Sequence, residues 1–138
     1  MRKFYVFKMK SEYATLTKKN PYHLYKTLEQ IYYVDPSDLN LGIDLFERMI
    51  DVFNPKSIDI DLFKKYKDNY FYTKYRNVHQ IHDVYRRETT KLTVCKTYLE
   101  LETSVIRPTF LKDLEEYENL FFCDFENKDY FWLETISI

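Results

Sequence analysis

Apolar positions alternate near the start and end of this chain and follow helical intervals between. Residues 2–9 read as a β-strand in which Phe4 and Val6, with Lys8, point one way and Tyr5, Phe7 and Met9 the other. Apolar groups on both faces place such a strand inside a sheet. Ser11 to Thr17 reads as a short helix with Ser11 as its N-cap. Asn20-Pro21 supplies the cap and first position of a second helix, where Leu24, Tyr25, Leu28, Ile31 and Tyr32 recur at helical spacing. Asp35-Pro36-Ser37-Asp38 marks a turn and another helix start. Leu39, Ile43, Phe46, Met49, Ile50 and Phe53 then form an amphipathic stripe that stops at Asn54-Pro55.

Residues 57–67 carry two patterns at once. Ile58 and Ile60 alternate like a strand, while Leu62, Phe63 and Tyr66 have helical spacing. Residues 70–86 are rich in Tyr and His, and Ile81, Val84 and Tyr85 favour a helix over 78–86. Two strands follow at 91–95 and 98–103, with Leu92, Val94, Leu99 and Leu101 inward. A helix over Pro108 to Glu118 would bury Phe110, Leu111, Leu114 and Tyr117. The apolar run Phe121-Phe122-Cys123-Asp124-Phe125 enters a polar turn over Glu126 to Asp129 and leaves through Tyr130-Phe131-Trp132-Leu133, the pattern of a β-hairpin. The order predicts a single α+β domain over residues 1–138, with a largely antiparallel sheet packed with several helices.

Composition narrows the function. The chain has 138 residues, one domain's worth, and 45% hydrophobic residues provide a core. Tyr occurs 14 times and Phe 11 times; such rings fill cores, and Tyr also serves binding surfaces with its hydroxyl in water. The single glycine, Gly42, excludes a Walker A or dinucleotide-binding loop, which needs several. Lys and Arg number 21 against 22 Asp and Glu, a net charge of −1 that argues against a duplex-DNA coating protein. Cys95 and Cys123 lie in apolar strand patterns and read as buried free thiols of a reducing compartment. Lys8 and Lys10 interrupt any signal-peptide core near the start, and no stretch is apolar enough to span a bilayer. A cytoplasmic protein is expected, with no membrane association.

Each candidate chemistry has a plainer alternative. His79-x-x-His82-Asp83 is the one His cluster, and on a helix its two imidazoles would share a face. Nothing in the sequence supplies a third ligand, and a solvated helix face explains the cluster as well. Cys95 with a distant His would make a nucleophile–base pair, but a strand cysteine behaves as a small hydrophobe. Glu115-Glu116 diverge on a helix, and Glu100 and Glu102 share the outer face of a strand, so both pairs read as solvated. No catalytic, cofactor-binding or metal residue is assigned. The stretch Lys64 to Arg76 interleaves basic and aromatic residues, as single-stranded nucleic acid binders do, with Tyr70, Tyr72, Lys74, Tyr75 and Arg76 as contacts. Arg86, Arg87 and Lys91 would extend that patch. In the first short helix, Tyr13 and Leu16 read either as core or as a small apolar patch for a partner.

The terminal hairpin carries a further signal. Asp124-Phe125, Lys128, Tyr130 and Trp132-Leu133 stand at the spacing DF-x-x-K-x-Y-x-W-L, preceded by an apolar strand and a helix. Phe4-Tyr5-Val6-Phe7 is followed by Lys10, Glu12, Tyr13 and Ala14. In these features the chain resembles the sporulation inhibitor of replication (SirA) family of low-GC Gram-positive bacteria. The middle fits more loosely, through the helix ending at Asn54-Pro55 and the segment around Tyr85-Arg86. The resemblance implies a monomeric, non-enzymatic cytoplasmic regulator that binds the N-terminal domain of the replication initiator DnaA and restrains initiation at the origin. It also implies a contact surface on the first helical segment, at Tyr13 and Thr17, with Arg48 and Asp51 assisting more weakly; the apolar-patch reading adds Leu16 to this candidate partner-binding set. Thr17 stands where the family has an aromatic residue, and Phe131 where it has a small one.

Overall fold

The computed structural model describes residues 1–33 and 46–136. Its centre is β1 (Arg2–Met9), which pairs antiparallel with β6 (Leu99–Thr103) on one edge and β7 (Leu120–Asp124) on the other. The register Val6↔Leu99 and Val6↔Phe122 puts three apolar residues side by side. β2 (Ile50–Asp51) continues along the β6 edge, opposite Lys8 and Met9. The hairpin of β3 (Tyr72–Tyr75) and β4 (Val78–Asp83) leads into β5 (Glu88–Val94), and β8 (Asp129–Trp132) closes the far side. The order across the sheet is β3-β4-β5-β6-β1-β7-β8, with every pair antiparallel. The fold is α+β, as the sequence predicts.

The two faces of the sheet are covered differently. On one, α1 (Ser11–Thr17) and α2 (Pro21–Tyr32) pack on Phe7, Met9, Phe121, Cys123 and Trp132. On the other, α3 (Pro55–Tyr66) and the short α4 (Leu111–Leu114) pack on Phe4, Val6, Leu92, Leu99, Leu101 and Phe122. A last turn, α5 (Leu133–Ile136), follows β8. Strand β1 feeds both cores by alternation, which is why it has no polar face. Strands β4 to β6 feed only the α3 side. Their other face carries Gln80, His82, Thr89, Lys91, Glu100 and Glu102 outside either core, the alternation of a half-solvated sheet.

Tyr25, Tyr66 and Tyr72 are buried in the cores, and other tyrosines build an aromatic cluster at their margin. Tyr25 stacks on Tyr130 at 4.7 Å, Tyr32 stacks on Phe125 at 4.6 Å, and Tyr5 meets Tyr32 and Tyr98 at 5.2 and 5.7 Å. Burial, with the hydroxyl contact to Tyr32, raises the Tyr5 phenol to about 12. The terminal hairpin is built by the same means. Asp124 is buried and accepts bonds from Asn127 N, Asn127 Nδ2 and Arg2 Nε at 3.1, 2.8 and 3.0 Å. Burial alone would raise its carboxyl; those donors outweigh burial and lower it.

Four local expectations change. Ser11 is the first residue of α1, not its cap: Lys10 takes the cap position with no side-chain bond. The stripe through Phe53 is not one helix. Residues 46–49 are helical, then Ile50–Asp51 leaves to pair with β1, because Met49 and Ile50 find the α2-side core while Phe53 finds the α3-side core. The turn and helix start proposed at 35–38, with Leu39 and Ile43, lie outside the described residues. Asn54 starts α3, its Oδ1 accepting from Ser57 N at 3.2 Å, and the buried set is Ile58, Leu62 and Tyr66 at four-residue spacing. Residues 78–83 are a strand, with His79 and Ile81 inward and Val84 and Tyr85 exposed in the following turn. The helix expected over 108–118 is confined to α4, although Phe110 and Leu114 are buried as predicted and Leu111 and Tyr117 are partly so.

Candidate protein-binding surface

α1 is short but firmly seated. Glu12 lies in its first turn, where a carboxylate favours the helix dipole. Ala14, the smallest residue in the helix, is its buried contact with the sheet. Lys10 N donates to Met49 O at 2.9 Å, which sets residues 48–49 against the start of the helix. At the other end Lys18 Nζ donates to Glu134 Oε2 at 3.0 Å and lies 5.8 Å from the Trp132 ring. The pair holds the Glu134 carboxyl below its usual range. Asn20 Oδ1 then accepts from His23 N at 3.2 Å and starts α2 as predicted.

With Ala14 inward, the outer face of α1 is Glu12, Thr15 and Leu16, and Leu16 is 76% exposed. Tyr13 is half-buried, packed at the margin of the α2-side core. Thr17 is also half-buried, and its hydroxyl donates back to Tyr13 O at 2.6 Å, so it is occupied within the helix. Arg48 is exposed and precedes Met49, whose carbonyl accepts from Lys10 N at the start of α1. Asp51 stands apart. It pairs with Lys8, whose Nζ lies 3.8 Å from Asp51 Oδ2, and Lys8 belongs to the sheet face opposite α1. Tyr13, Leu16 and Thr17 therefore share α1, Arg48 stands near the start of that helix, where Lys10 meets Met49, and Asp51 lies outside the group. Val52, half exposed after β2, was not singled out by the sequence, where it falls between the positions of the apolar stripe.

The other candidates are also placed. His79 and His82 lie on a strand three residues apart and face opposite sides of the sheet. His79 is buried, His82 exposed, and among the described residues no group of three His, Cys, Asp or Glu side chains could hold a metal ion. Cys123 is buried beneath α2, and burial pushes its thiol well above the usual range; Cys95 is half-buried. Glu100 takes an ion pair from Lys3 at 2.5 Å, while Glu115 and Glu116 are exposed.

Of the basic-aromatic stretch, Tyr66 and Tyr72 are buried and Lys65 is ion-paired to Asp113. Tyr70, Lys74, Tyr75 and Arg76 are exposed, the last lying 5.3 Å over the Tyr75 ring. Tyr72 is bound up in a chain no motif search would find: its hydroxyl lies 2.7 Å from His79 Nδ1, and His79 Nε2 lies 2.7 Å from Asp59 Oδ1 of α3. A buried carboxylate, Glu88, accepts from Thr90 Oγ1, Thr109 N and Thr109 Oγ1 at 2.7, 2.8 and 2.7 Å. These partners tie α3 and the segment before α4 to the sheet. Among the described residues no helix is long and apolar enough to cross a membrane.

No protein-family model matches the chain, and a search of curated proteins found no matching relative.

Proposed function

We propose that this protein is a non-enzymatic regulator of DNA replication initiation, of the kind the SirA resemblance implies. In this reading it occludes a surface on the N-terminal domain of DnaA through the outer face of α1. The observation that carries the reading is Leu16, an aliphatic side chain three-quarters exposed on a helix held at both ends, with the Tyr13 ring half-buried beside it. Singly exposed apolar residues are common, but an anchor on a rigid element costs little entropy to bind. Arg48 is a rim charge that sets orientation and on-rate. Asp51 has no direct role in this reading, because Lys8 and the opposite sheet face hold it.

Titration calorimetry of the full chain against the isolated N-terminal domain of DnaA tests the proposal. Saturable one-to-one binding that Leu16→Glu abolishes supports it; no heat at high micromolar concentrations sinks it. A single-stranded oligonucleotide run in parallel tests the competing reading, in which Tyr70, Lys74, Tyr75 and Arg76 contact nucleic acid. Salt-steep binding to the oligonucleotide alone would move the function there.

A further inference from the structure

A second surface lies on the other face of the sheet. The helix α3 has two apolar sides. Ile58, Leu62 and Tyr66 face the core, while Ile60 and Phe63, three residues apart, face out and are 52% and 47% exposed. They form the floor of a groove of about 540 Å³ between α3 and the edge strand β3. Its rim is Lys64, Lys67 and Lys74, with Asp59 at one side. Asp59 is engaged by His79, whereas none of the three lysines makes an ion pair among the described residues. Their neighbour Lys65 shows the contrast, since Asp113 takes its charge.

We propose that this groove binds an acidic linear segment of a partner protein, with two or more carboxylates flanking one aliphatic or aromatic side chain. Charge decides the sign of the partner: three lysines without ion pairs among the described residues, against the one Asp59 carboxylate, leave the groove net positive on a chain of net charge −1. The floor decides its class. Ile60 and Phe63 offer an apolar seat suited to a Leu or Phe side chain. A nucleic acid would need a row of exposed rings, and Tyr70 and Tyr75 do not line the groove. The open edge of β3, unpaired among the described residues, lies alongside and lets an extended segment add backbone bonds.

This surface is independent of α1. It sits four strand spacings from β1, about 19 Å, and on the opposite face. Both surfaces are therefore available at once.

The test is fluorescence anisotropy of the full chain with a labelled octapeptide of Asp and Glu around a central Leu-Phe pair. Three other probes accompany it: the same peptide with Ser for Leu-Phe, a lysine version, and a twelve-nucleotide oligo-dT. The acidic apolar peptide should bind, and raising the salt should weaken it. Phe63→Ser and the double variant Lys64→Glu/Lys67→Glu should each weaken it at least tenfold. Both changes are at exposed positions, and circular dichroism would verify the fold. Lys112→Glu, an exposed lysine outside the groove, should change it less than twofold. Equal affinity for the Ser peptide would reject the apolar seat. Preference for oligo-dT would assign the groove to nucleic acid, and no binding of any anionic probe would overturn the site.

Discussion

His79 Nε2 lies 2.7 Å from Asp59 Oδ1, and that contact fastens helix α3 to strand β4. A neutral imidazole completes the chain on both sides: Nε2–H donates to Asp59 and Nδ1 accepts from the Tyr72 hydroxyl at 2.7 Å. Burial favours the same state. It lowers the His79 pKa from its ordinary 6.5, against the opposing pull of Asp59. Desolvation also lifts the Tyr72 phenol to about 12.

The first prediction follows by linkage. Below pH 6.5 the unfolded chain takes up a proton at His79 that the folded chain resists. Stability from this group is thus fully present above 6.5 and declines as pH falls toward the lowered folded value. Thermal midpoints measured from pH 7 to pH 5 should fall, and His79→Gln should flatten that stretch. An unchanged slope in the variant would show that His79 is not the group responsible.

Glu88 carries a second buried anchor. Glu88→Ala removes the acceptor of three donors, two of them from Thr109, and should cost about 3 kcal/mol by urea unfolding. Amide exchange at Thr109 should accelerate more than at Leu92, which lies in the centre of β5. Equal acceleration at both would mean global loosening instead of a released segment.

Phe110 contacts Tyr66, Tyr72 and His79 edge-on at 5.3, 6.4 and 6.5 Å and is wholly buried. Phe110→Ala should destabilise by about 3–5 kcal/mol. A loss under 1 kcal/mol would indicate that the site collapses around the cavity.

Among the described residues, four non-glycine residues, Arg76, Arg87, Asn119 and Lys128, hold left-handed φ angles of 55–60°. An L-residue in that region carries a steric cost that glycine avoids. Arg87→Gly, at an exposed turn, should therefore raise stability by roughly 0.5–1 kcal/mol, net of the added unfolded-state entropy. A lowered midpoint would show that the Arg87 side chain contributes more than its backbone costs.

At α1, Leu16→Glu and Tyr13→Ala separate recognition from packing. Leu16→Glu should leave the thermal midpoint within 2 °C or so, given how little surface substitutions usually change stability, while removing partner binding. Tyr13→Ala should weaken binding by more than about 1 kcal/mol and also lower stability, because its ring is partly buried against the α2-side core. Full binding by a folded Leu16→Glu protein would rule out this face.

The strands at the ends of the sequence were legible because alternation and local turns define them. β1 shows apolar residues on both faces, and the last hairpin brackets a polar turn. The middle was not legible for a physical reason. His79 is inward only because Asp59 and Tyr72 lie within reach in the folded chain, so its polarity hid the period of two that it shares with Ile81. The stripe ending at Phe53 reads as one helix, yet its described residues divide between two cores separated by the sheet. The candidate site was half legible. Tyr13 and Leu16 lie together where the pattern put them, while Asp51 faces away because strand pairing, not helical phase, orients it.

The central place of β1 has a consequence for biogenesis. Its two long neighbours are residues 99–103 and 120–124, so the strand leaves the ribosome long before either partner exists. Contacts this distant in sequence make folding slow and late, and until then both edges of an aromatic strand stand open. Truncation before β7 would leave one of those edges permanently open, and such fragments should be recovered in inclusion bodies.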